Sequence, residues 1–385
     1  MTTKKEEFIF QATGRYFAQT QKGLSDIAAL ELEELGAEDC KVSYNGVYFT
    51  ADAEVLYRIN YMIKTVSRIL APLVSFTVHN EKELYKKCYK IEWERFMSPE
   101  KTFSISSSVS GSRINHSKFA ALRVKDAIAD RLREKFDTRP NVDTTDPDIP
   151  INLNIRNNFC TISFDTSGQS LHKRGYRVNA VSAPLHETLA AAIIRISGWD
   201  GSVPLYDPMS GSGTLLGEAL LKYGNRPSSV KKRSFGVFNL PGFNRNLWRD
   251  VKQNCDNGTR EIPEGLISGS DIDKINVRAA RQNMNEVQGG ENIKITRSDF
   301  REIEAINDSM IISNLPYGHR LGNVEEAGKL YTEFGNFLKH KCRGSKAFLL
   351  CGSTELVKKI GLRTSRKIPL FNGPIETRLI ELDLY

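Results

Sequence analysis

The chain of 385 residues has no run of about 18 apolar residues, the length that a membrane-spanning helix requires. Residues 1–7 are mostly polar or charged and no apolar signal-peptide core follows them, so a cytoplasmic location is expected. The six cysteines include no Cys-x-x-Cys pair, and the six histidines show no metal-ligand spacing. We therefore predict reduced cysteines, no membrane partner and no bound metal.

Basic residues outnumber acidic ones, which gives a net charge of +8 and an isoelectric point near 9.0. The excess is not uniform along the chain. Residues 101–139 contain nine basic and four acidic side chains, residues 222–260 contain nine and two, and residues 1–60 have a net charge of −4. Two separate basic stretches predict contact with a polyanion. A solvated surface is the ordinary alternative for either stretch alone.

The hydrophobic patterns predict an α+β amino-terminal half and an α/β carboxyl-terminal half. The predicted local structures of the first half are helices over 55–70, 81–97 and 117–136, a polar stretch over 107–112 and an irregular loop over 137–150. From Pro184 onward strand and helix patterns alternate regularly, which predicts a mostly parallel sheet. The last two strand patterns are joined by a turn and predict an antiparallel hairpin at its edge.

Three strand-ending segments of the second half suit a nucleotide-like ligand. In the loop 207–214, Gly211 and Gly213 allow close backbone approach at a helix N-terminus. No lysine follows these glycines, so the loop is not a Walker loop. Asp271, after the next strand, suits ribose hydroxyls, and Asp299, beside an aromatic ring after the third, suits an adenine amino group. Each acid taken alone is more ordinary as a helix cap.

A fourth segment, Asn-Leu-Pro-Tyr at 314–317, follows an apolar strand pattern. It places a hydrogen-bond acceptor beside a flat stacking surface at the end of a strand, where α/β sheets bind ligands. We predict that a planar, amine-bearing ring such as a nucleobase binds here. Asn314 and the backbone carbonyl of Leu315 or Pro316 would accept the amine N–H groups, and Tyr317 would stack on the ring. The alternative is a strand-ending turn with a buried tyrosine.

Together these segments resemble class I S-adenosylmethionine-dependent methyltransferases, and more closely the THUMP-domain RNA guanine-N2 methyltransferases that modify bacterial large-subunit rRNA. The shared pieces are Leu-His-Lys-Arg-Gly-Tyr-Arg at 171–177, Ala-Pro-Leu-His-Glu-Thr-Leu-Ala at 183–190, Asp-Pro-Met-Ser-Gly-Ser-Gly-Thr at 207–214, Gly-Ser-Asp-Ile-Asp at 269–273 and Asn-Leu-Pro-Tyr-Gly at 314–318. The resemblance covers nearly the whole chain. It implies a ferredoxin-like subdomain at 1–64, a THUMP RNA-binding domain at 65–166, a linker at 167–182 and a Rossmann-like, seven-stranded methyltransferase domain at 183–385.

The resemblance also implies roles for individual residues, with S-adenosyl-L-methionine as the cofactor, Asp271 at its ribose and Asp299 at its adenine. The implied cofactor-binding residues are Pro184, Glu187, Thr188, Asp207, Met209, Ser210, Gly211, Gly213, Thr214, Asp271, Ile272, Asp299, Phe300 and Asn314. The implied catalytic residues are Asn314, Leu315, Pro316 and Tyr317. The expected RNA contacts are Lys118, Arg123, Arg131, Lys135, Lys173, Arg174, Lys231, Lys232 and Arg233.

The expected reaction is methyl transfer to the exocyclic N2 amine of a guanine in 23S rRNA, either free or in a pre-ribosomal particle. The commoner fourth motif of the family has proline where Leu315 stands, and Asn-Leu-Pro-Tyr is also the form found in rRNA adenine-N6 dimethylases. Leucine restores a backbone N–H and is expected to loosen the loop. A tRNA guanine or an rRNA adenine is therefore an alternative target, and a non-catalytic RNA-binding assembly factor is a further alternative.

The basic and aromatic segment 231–248 forms part of a long insertion between the first two strands of the second half. We expect this insertion at the ligand end of the sheet, close to the target base. A folded cover over the sheet is the alternative for its aromatic residues. No role is assigned to His172, His186 and His319.

Overall fold

The computed structural model of the chain describes residues 7–179, 185–231, 233–317 and 324–385. Five residues singled out in the sequence, Ala183, Pro184, Lys232, Gly318 and His319, lie outside the described residues. None of the helices in the described ranges is long and apolar enough to cross a membrane.

The amino-terminal half is built on one seven-stranded sheet. Its elements are α1 (Ile9–Thr13), β1 (Arg15–Gln19), α2 (Ser25–Glu34), β2 (Glu38–Ser43), β3 (Gly46–Thr50), α3 (Ala53–Met62), β4 (Arg68–Thr77), α4 (Glu81–Tyr89), β5 (Phe103–Ser110), α5 (Ser117–Phe136), β6 (Ile149–Arg156) and β7 (Phe159–Asp165). The strand order is β2-β3-β1-β4-β7-β6-β5. Only β5 and β6 pair in parallel in this sheet, because α5 connects them as a crossover. Since β4 pairs with both β1 and β7, the sheet continues across the predicted boundary at residue 64.

Some predicted elements of this half are wrong at their ends. The helix predicted over 55–70 is too long at its carboxyl end, because α3 ends at Met62 and β4 begins at Arg68. Short apolar runs fit a buried strand as well as a helix, and this one lies at the centre of the sheet. The pattern over 81–97 also breaks, since α4 ends at Tyr89 and only a short 3-10 turn follows. The polar stretch from 107 continues β5 to Ser110, whereas the helix over 117–136 is confirmed.

The carboxyl-terminal half has a second seven-stranded sheet. Its elements are α6 (Glu187–Ile196), β8 (Leu205–Asp207), α7 (Thr214–Tyr223), α8 (Arg245–Asn257), β9 (Ile267–Asp271), α9 (Lys274–Asn285), β10 (Lys294–Arg297), β11 (Met310–Asn314), α10 (Val324–Lys341), β12 (Lys346–Cys351), α11 (Thr354–Lys359), β13 (Arg366–Asn372) and β14 (Ile375–Asp383). The strand order is β10-β9-β8-β11-β12-β14-β13, parallel from β10 to β12 and antiparallel at β14. The predicted parallel sheet with a terminal hairpin is confirmed.

The four predicted ligand segments end neighbouring strands of this sheet. Asp207 is paired with Gly269, and Asp271 is paired with Arg297. β11 lies on the other side of β8 and also runs parallel to it. Because parallel strands direct their carboxyl ends to the same edge, the loop 207–214, the two acids and Asn314 follow one edge of the sheet.

The insertion, residues 224–266, lies at the opposite edge. It leaves α7 and enters β9, and both of these ends are at the amino ends of the strands. The expectation that it lies at the ligand end is therefore wrong, because a βα unit returns its chain to the starting edge. Its aromatic residues pack instead against α3 of the first half: Phe243 lies 5.4 Å from Tyr57, and Trp248 lies 6.0 Å from Tyr61, between ring centroids.

Candidate active site

Asn314 is the last residue of β11 and carries an unsatisfied acceptor. Its Oδ1 is buried and has no hydrogen-bond partner among the described residues. The next amide, Leu315 N–H, donates to the Leu350 carbonyl at 3.1 Å and extends the pairing with β12. The Leu315 side chain is 1% exposed and lies in the core under α10. The expected loosening by leucine is therefore wrong at this residue, since its N–H is used and its side chain faces the core.

Asp207 fixes the end of β8 next to β11. Its Oδ1 accepts a hydrogen bond from Ser313 Oγ at 2.7 Å and another from Met209 N–H at 3.1 Å. The carboxyl is buried, and burial raises its pKa to about 7 despite these two donors, with the nearby Asp271 adding to the rise. Asp207 thus holds the strand end and the start of the glycine loop rather than facing solvent.

Asp271 is the residue that orders the glycine loop. Its two oxygens accept hydrogen bonds from Gly211 N–H at 2.9 Å, Asp273 N–H at 2.9 Å and Asn276 Nδ2 at 3.1 Å. A carboxylate has about four acceptor positions, so about one stays open. Asp271 therefore keeps acceptor capacity for a ribose hydroxyl, and its predicted role at the ribose stays a prediction.

The residues expected around an adenine differ in how much surface they offer. Ile272, directly after Asp271, is 60% exposed. Phe300 is 4% exposed, and its ring packs edge-on against Phe334 and Phe337 in the core. The Asp299 carboxylate caps the short 3-10 turn that follows it, and it pairs with the guanidinium of the turn's own arginine at 2.8 Å. Asp299 therefore caps the turn that follows it, and it also lies at the edge of the sheet where the ligand is expected.

The start of α6 reaches the same loop through an arginine of the linker. Arg177 Nη2 donates to Thr214 Oγ1 at 3.0 Å and to the Leu185 carbonyl at 2.8 Å, and it lies 3.3 Å from Glu187 Oε1. Burial raises the pKa of Glu187, while the guanidinium of Arg177 opposes that rise. Thr188, the next residue, is 1% exposed. The structure thus brings Glu187 and Thr188 together with the glycine loop.

Five residues of this edge keep buried polar atoms without a hydrogen-bond partner among the described residues. They are Arg177 Nε, Glu187 Oε2, Thr188 Oγ1, Ser210 Oγ and Asn314 Oδ1. Buried polar atoms are nearly always paired, so unpaired ones at one place indicate a polar ligand. The glycine loop also leaves open space for a ligand. A Cβ built on Gly211, whose φ is +53°, would meet no atom within 4 Å. The site therefore fits a ligand with several polar groups beside an open glycine loop, as S-adenosyl-L-methionine would be.

Tyr317 is held at the rim of this edge. Its hydroxyl accepts a hydrogen bond from Asn372 Nδ2 at 2.9 Å. Its Cβ lies against the backbone of Gly352, where an added Cβ would come within 2.1 Å. The ring is half-buried and so is the preceding Pro316. Tyr317 is therefore held by the end of β13 and by the residue that follows β12.

The predicted RNA contacts do not all reach solvent. The residues with exposed side chains are Lys118, Arg123, Lys135, Lys173 and Lys231. Arg131 is engaged by Glu94 through two hydrogen bonds, and Arg233 donates to the backbone carbonyls of Gln169 and Lys173. Arg174 is 1% exposed and forms a buried ion pair with Glu218 at 3.1 Å. The prediction that Arg174 contacts RNA is therefore wrong, because its guanidinium is buried and paired with Glu218.

Sequence reasoning missed three residues that shape the site. Arg177 was part of a shared piece but received no role. Asn283 is fully buried on α9, where its Oδ1 accepts from Val178 N–H and its Nδ2 donates to the Ser212 carbonyl at 3.0 Å. Asn372 was interpreted only as a turn residue. No local pattern signals the contacts of Arg177 with Thr214, of Asn283 with Ser212 or of Asn372 with Tyr317, because these contacts join segments far apart in the chain.

The described residues include no group of three or more His, Cys, Asp or Glu side chains that could hold a metal ion. Comparison with known families gives three matches along the chain. An RlmL ferredoxin-like domain matches residues 15–70, a THUMP domain matches 78–165, and an RMKL-like methyltransferase domain matches 174–381. The last of these alone spans more than half of the chain.

Full-length relatives agree with these matches. A candidate RNA methyltransferase of Synechocystis sp. is 40% identical over 98% of this chain and 98% of its own length. A protein of Syntrophotalea carbinolica named ribosomal RNA large subunit methyltransferase K/L is 36% identical over 96% of this chain, but the chain spans only 53% of that relative. A similarly named protein of Psychromonas ingrahamii is 38% identical, with 49% of its length covered.

Two solved structures share the whole fold. A candidate methyltransferase in complex with S-adenosyl-L-homocysteine has a TM-score of 0.86 and 27% identity, covering 97% of this chain and 98% of that one. A structure from Listeria monocytogenes described as a predicted N6-adenine-specific DNA methylase has a TM-score of 0.84 and 26% identity, covering 99% of both chains. The strand order, the polar strand ends and these matches agree, and the chain belongs to the RMKL-like methyltransferases, enzymes that use S-adenosyl-L-methionine.

Proposed function

We propose that the chain transfers the methyl group of S-adenosyl-L-methionine to the exocyclic N2 amine of a guanine in large-subunit (23S) rRNA. One observation carries the proposal: the buried, unpartnered Oδ1 of Asn314 lies at the end of β11, beside the strand that bears Asp207. The matched THUMP domain and the relatives named large-subunit rRNA methyltransferases support RNA, and rRNA in particular, as the substrate.

An exocyclic amine is a weak nucleophile because its lone pair is shared with the ring. Asn314 Oδ1 accepts one N–H of the amine, and the backbone carbonyl of Leu315 or Pro316 accepts the other. Two acceptors pyramidalise the nitrogen and direct its lone pair, so positioning supplies most of the rate enhancement. When bound, S-adenosyl-L-methionine supplies an electrophilic sulfonium methyl. The amine proton becomes acidic once the nitrogen is methylated, so no strong general base is needed.

Tyr317 stacks on the target base and needs a fixed ring to do so. The hydrogen bond from Asn372 and the contact with Gly352 keep the ring from swinging away from Asn314. Stacking of a base on an aromatic side chain is worth about 1–3 kcal/mol. A paired base cannot reach this pocket, so the target nucleotide is single-stranded or flipped out of its helix.

The remaining acceptor of Asp271 takes one ribose hydroxyl, and the exposed Ile272 lies against the adenine. Glu187, Thr188 and Ser210 use their unpaired atoms on the polar groups of the methionine part. Substrate RNA is held by phosphate contacts of the exposed cations of α5, which fix its register without reading sequence. These cations are Lys118, Arg123 and Lys135.

Adenine-N6 is the second candidate target. The segment Asn-Leu-Pro-Tyr favours it, and so does the likeness to a structure described as an adenine-specific DNA methylase. The THUMP domain favours RNA over DNA as the substrate of this chain. Nucleoside mass spectrometry of rRNA and tRNA treated with the enzyme separates the targets, since N2-methylguanosine and N6-methyladenosine differ in mass. A product containing only N6-methyladenosine, or methylation of tRNA alone, would replace the guanine-N2 rRNA assignment.

Replacing Asn314 by alanine tests whether its buried, unpartnered Oδ1 takes part in the reaction. Asn314→Ala should lower tritiated methyl transfer to rRNA about 10²- to 10³-fold, the loss typical of one positioned hydrogen-bonding group. Binding of S-adenosyl-L-homocysteine in calorimetry should change only a few-fold, because Asp271 and the glycine loop remain. The matched control is Asn285→Ala, which removes an exposed amide from α9. Activity equal to that of the control, with cofactor binding intact, would remove Asn314 from the mechanism.

A further inference from the structure

A second cavity, of about 470 Å³, lies between α3, the insertion and the end of α9. We name it the clasp cavity and define it by four cations and four aromatic rings, Tyr61, Phe235, Phe238 and Trp248. The insertion leaves the sheet at the edge opposite Asn314, so this cavity is separate from the site described above. Its volume is in the range of about 300–1,000 Å³ that ligand sites occupy.

The cations of the clasp cavity are Arg226, Lys231, Arg233 and Lys252, and no carboxylate of the described chain shares the lining. The two lysines form ion pairs with Glu286 and Asp256, and Asp256 also accepts a hydrogen bond from the Tyr61 hydroxyl at 2.6 Å. The two arginines form no ion pair with a described residue, and burial lowers the pKa of both, that of Arg233 to about 10. A buried cation without a paired carboxylate is unfavourable even when it donates to neutral acceptors, so the cavity favours an anionic occupant.

The two guanidinium groups also keep unused hydrogen-bond donors. The Nε atoms of Arg226 and Arg233 are buried and have no partner among the described residues. Arg226 is 7% exposed, and its Nη atoms donate to Gln288 Oε1 and to the Arg260 carbonyl, which fixes the group in place. A fixed arginine presents its donors in a planar fork that matches a phosphate.

The aromatic rings supply a stacking surface on the same cavity. Trp248 lies edge-on to Phe238, with 4.9 Å between ring centroids and an interplanar angle of 84°. Of the three tryptophans, Trp93 and Trp199 are buried, whereas Trp248 is half-buried. Trp248 therefore lines the cavity and keeps part of its side-chain surface exposed.

We propose that the clasp cavity binds a splayed-out nucleotide of the RNA substrate, its base against Trp248 and its phosphates against Arg226 and Arg233. Basic side chains beside aromatic rings are the combination that binds unstacked nucleotides. This inference rests on the proposed function, because it takes RNA to be the substrate. It assigns the insertion a task that is independent of the reacting base: it anchors the RNA at the opposite edge of the methyltransferase sheet.

Tryptophan fluorescence tests the base contact in the full-length protein. A single-stranded RNA oligonucleotide should quench the emission of Trp248 and shield it from acrylamide, because the other two tryptophans are buried. Trp248→Phe should abolish most of the quenching while it keeps a stacking ring and RNA affinity. Trp248→Ala should weaken binding roughly 5- to 150-fold, the range for one lost base–aromatic stack.

Charge reversal tests the phosphate contact while all the aromatic rings of the cavity are kept. Lys231→Glu/Lys252→Glu places acidic groups at exposed positions of the lining that includes both arginines, with lysine side chains that are 53% and 49% exposed. The slope of log K against log salt for RNA binding should fall by about 1.4, the value for two lost single-strand contacts. The control Lys358→Glu/Lys367→Glu makes the same change in net charge on exposed lysines of the other side of the sheet.

The outcomes separate this inference from the proposed function. The cavity is supported if the quenching by RNA is lost in Trp248→Phe, and if the salt slope falls in the 231/252 variant but not in the 358/367 control. RNA binding that leaves Trp248 unquenched, or equal slopes in both double variants, overturns it. Full quenching by a mononucleotide at the affinity of RNA would make the occupant a free nucleotide, which also overturns it. Failure of the proposed function shows separately, as wild-type protein that binds RNA but methylates none.

Discussion

Asp207 combines a position at the active edge with an unusual ionisation. Its carboxyl is buried between β8 and β11, and burial raises its pKa to about 7, well above the value of about 3.9 of an unfolded chain. Between about pH 4 and pH 7 the folded protein therefore binds a proton that the unfolded chain has released. Linkage then requires the contribution of Asp207 to stability to be present below pH 4 and to be lost as the pH rises toward 7.

Asp207→Asn should remove this pH dependence. Asparagine keeps an oxygen that can accept from Ser313 and from Met209 N–H, so the fold should survive. Where the two states differ by a full proton, the free energy of unfolding of the wild type should fall by about 1.4 kcal/mol per pH unit relative to the variant. Denaturant unfolding at pH 5, 6 and 7 measures the difference, with the exposed Asp26→Asn as control. If the free energy of unfolding of wild type and of Asp207→Asn changes equally with pH, a group other than Asp207 causes the pH dependence.

At the residue scale, the sequence predicted those site residues whose role follows from a strand end. The glycine loop, Asp271 and Asn314 lie together because parallel strands end at one edge. Burial and long-range partners were not predictable in this way. Arg174 and Lys173 are adjacent in a basic linker, yet only the lysine is exposed. Which of two neighbouring cations turns inward depends on a carboxylate 44 residues away, Glu218.

At the element scale, the linker between the halves is held by one buried polar cluster. Arg174 donates to both oxygens of Glu218 and to the backbone carbonyls of Leu171 and Lys64. Tyr176 donates its hydroxyl to the same carboxylate at 2.9 Å. This cluster joins the amino-terminal half, the linker and α7. It is the reason that the segment expected to be partly extended and RNA-facing is instead a structural joint.

Arg174→Met should therefore destabilise the protein and leave RNA contact itself unchanged. Removing one partner of a buried ion pair strands the other charge and costs about 3–5 kcal/mol. Lys173→Met, one residue away, should change the free energy of unfolding by no more than about 0.5 kcal/mol. Denaturant unfolding measures both values. RNA affinity, measured where both variants are folded, should fall only for Lys173→Met. Near-wild-type stability of Arg174→Met would contradict the structural role.

Element types were predictable where the hydrophobic period was clear, as in α5 and α7. They were not predictable where a segment's neighbours decide its structure. The serine-rich end of β5 has little strand propensity of its own and is a strand because β6 pairs with it. α8, absent from the sequence expectations, is stabilised by its contact with α3, in a half of the molecule that precedes it by nearly 200 residues.

At the scale of the whole molecule, the insertion makes the two halves share a core. Phe235, Val237, Leu240 and Val251 of the insertion belong to the same buried cluster as the strands of the first sheet. Gly236 fits against the Asp165 carbonyl so closely that an added Cβ would lie 2.1 Å from it. A segment of the methyltransferase half is thus part of the core of the amino-terminal half. This shared core fixes the position of the two halves relative to each other.

This shared core predicts that damage to the insertion reaches the first half. Leu240 is 8% exposed, and Leu240→Ala should lower stability by about 2–5 kcal/mol, the cost of a cavity at a buried leucine. Hydrogen–deuterium exchange should accelerate in β7 and α3 as well as in the insertion, because all three contribute to one cluster. The exposed Leu30→Ala is the matched control and should change neither. Faster exchange confined to residues 224–266 would show that the two halves are independently stable and that the insertion does not stabilise the first half.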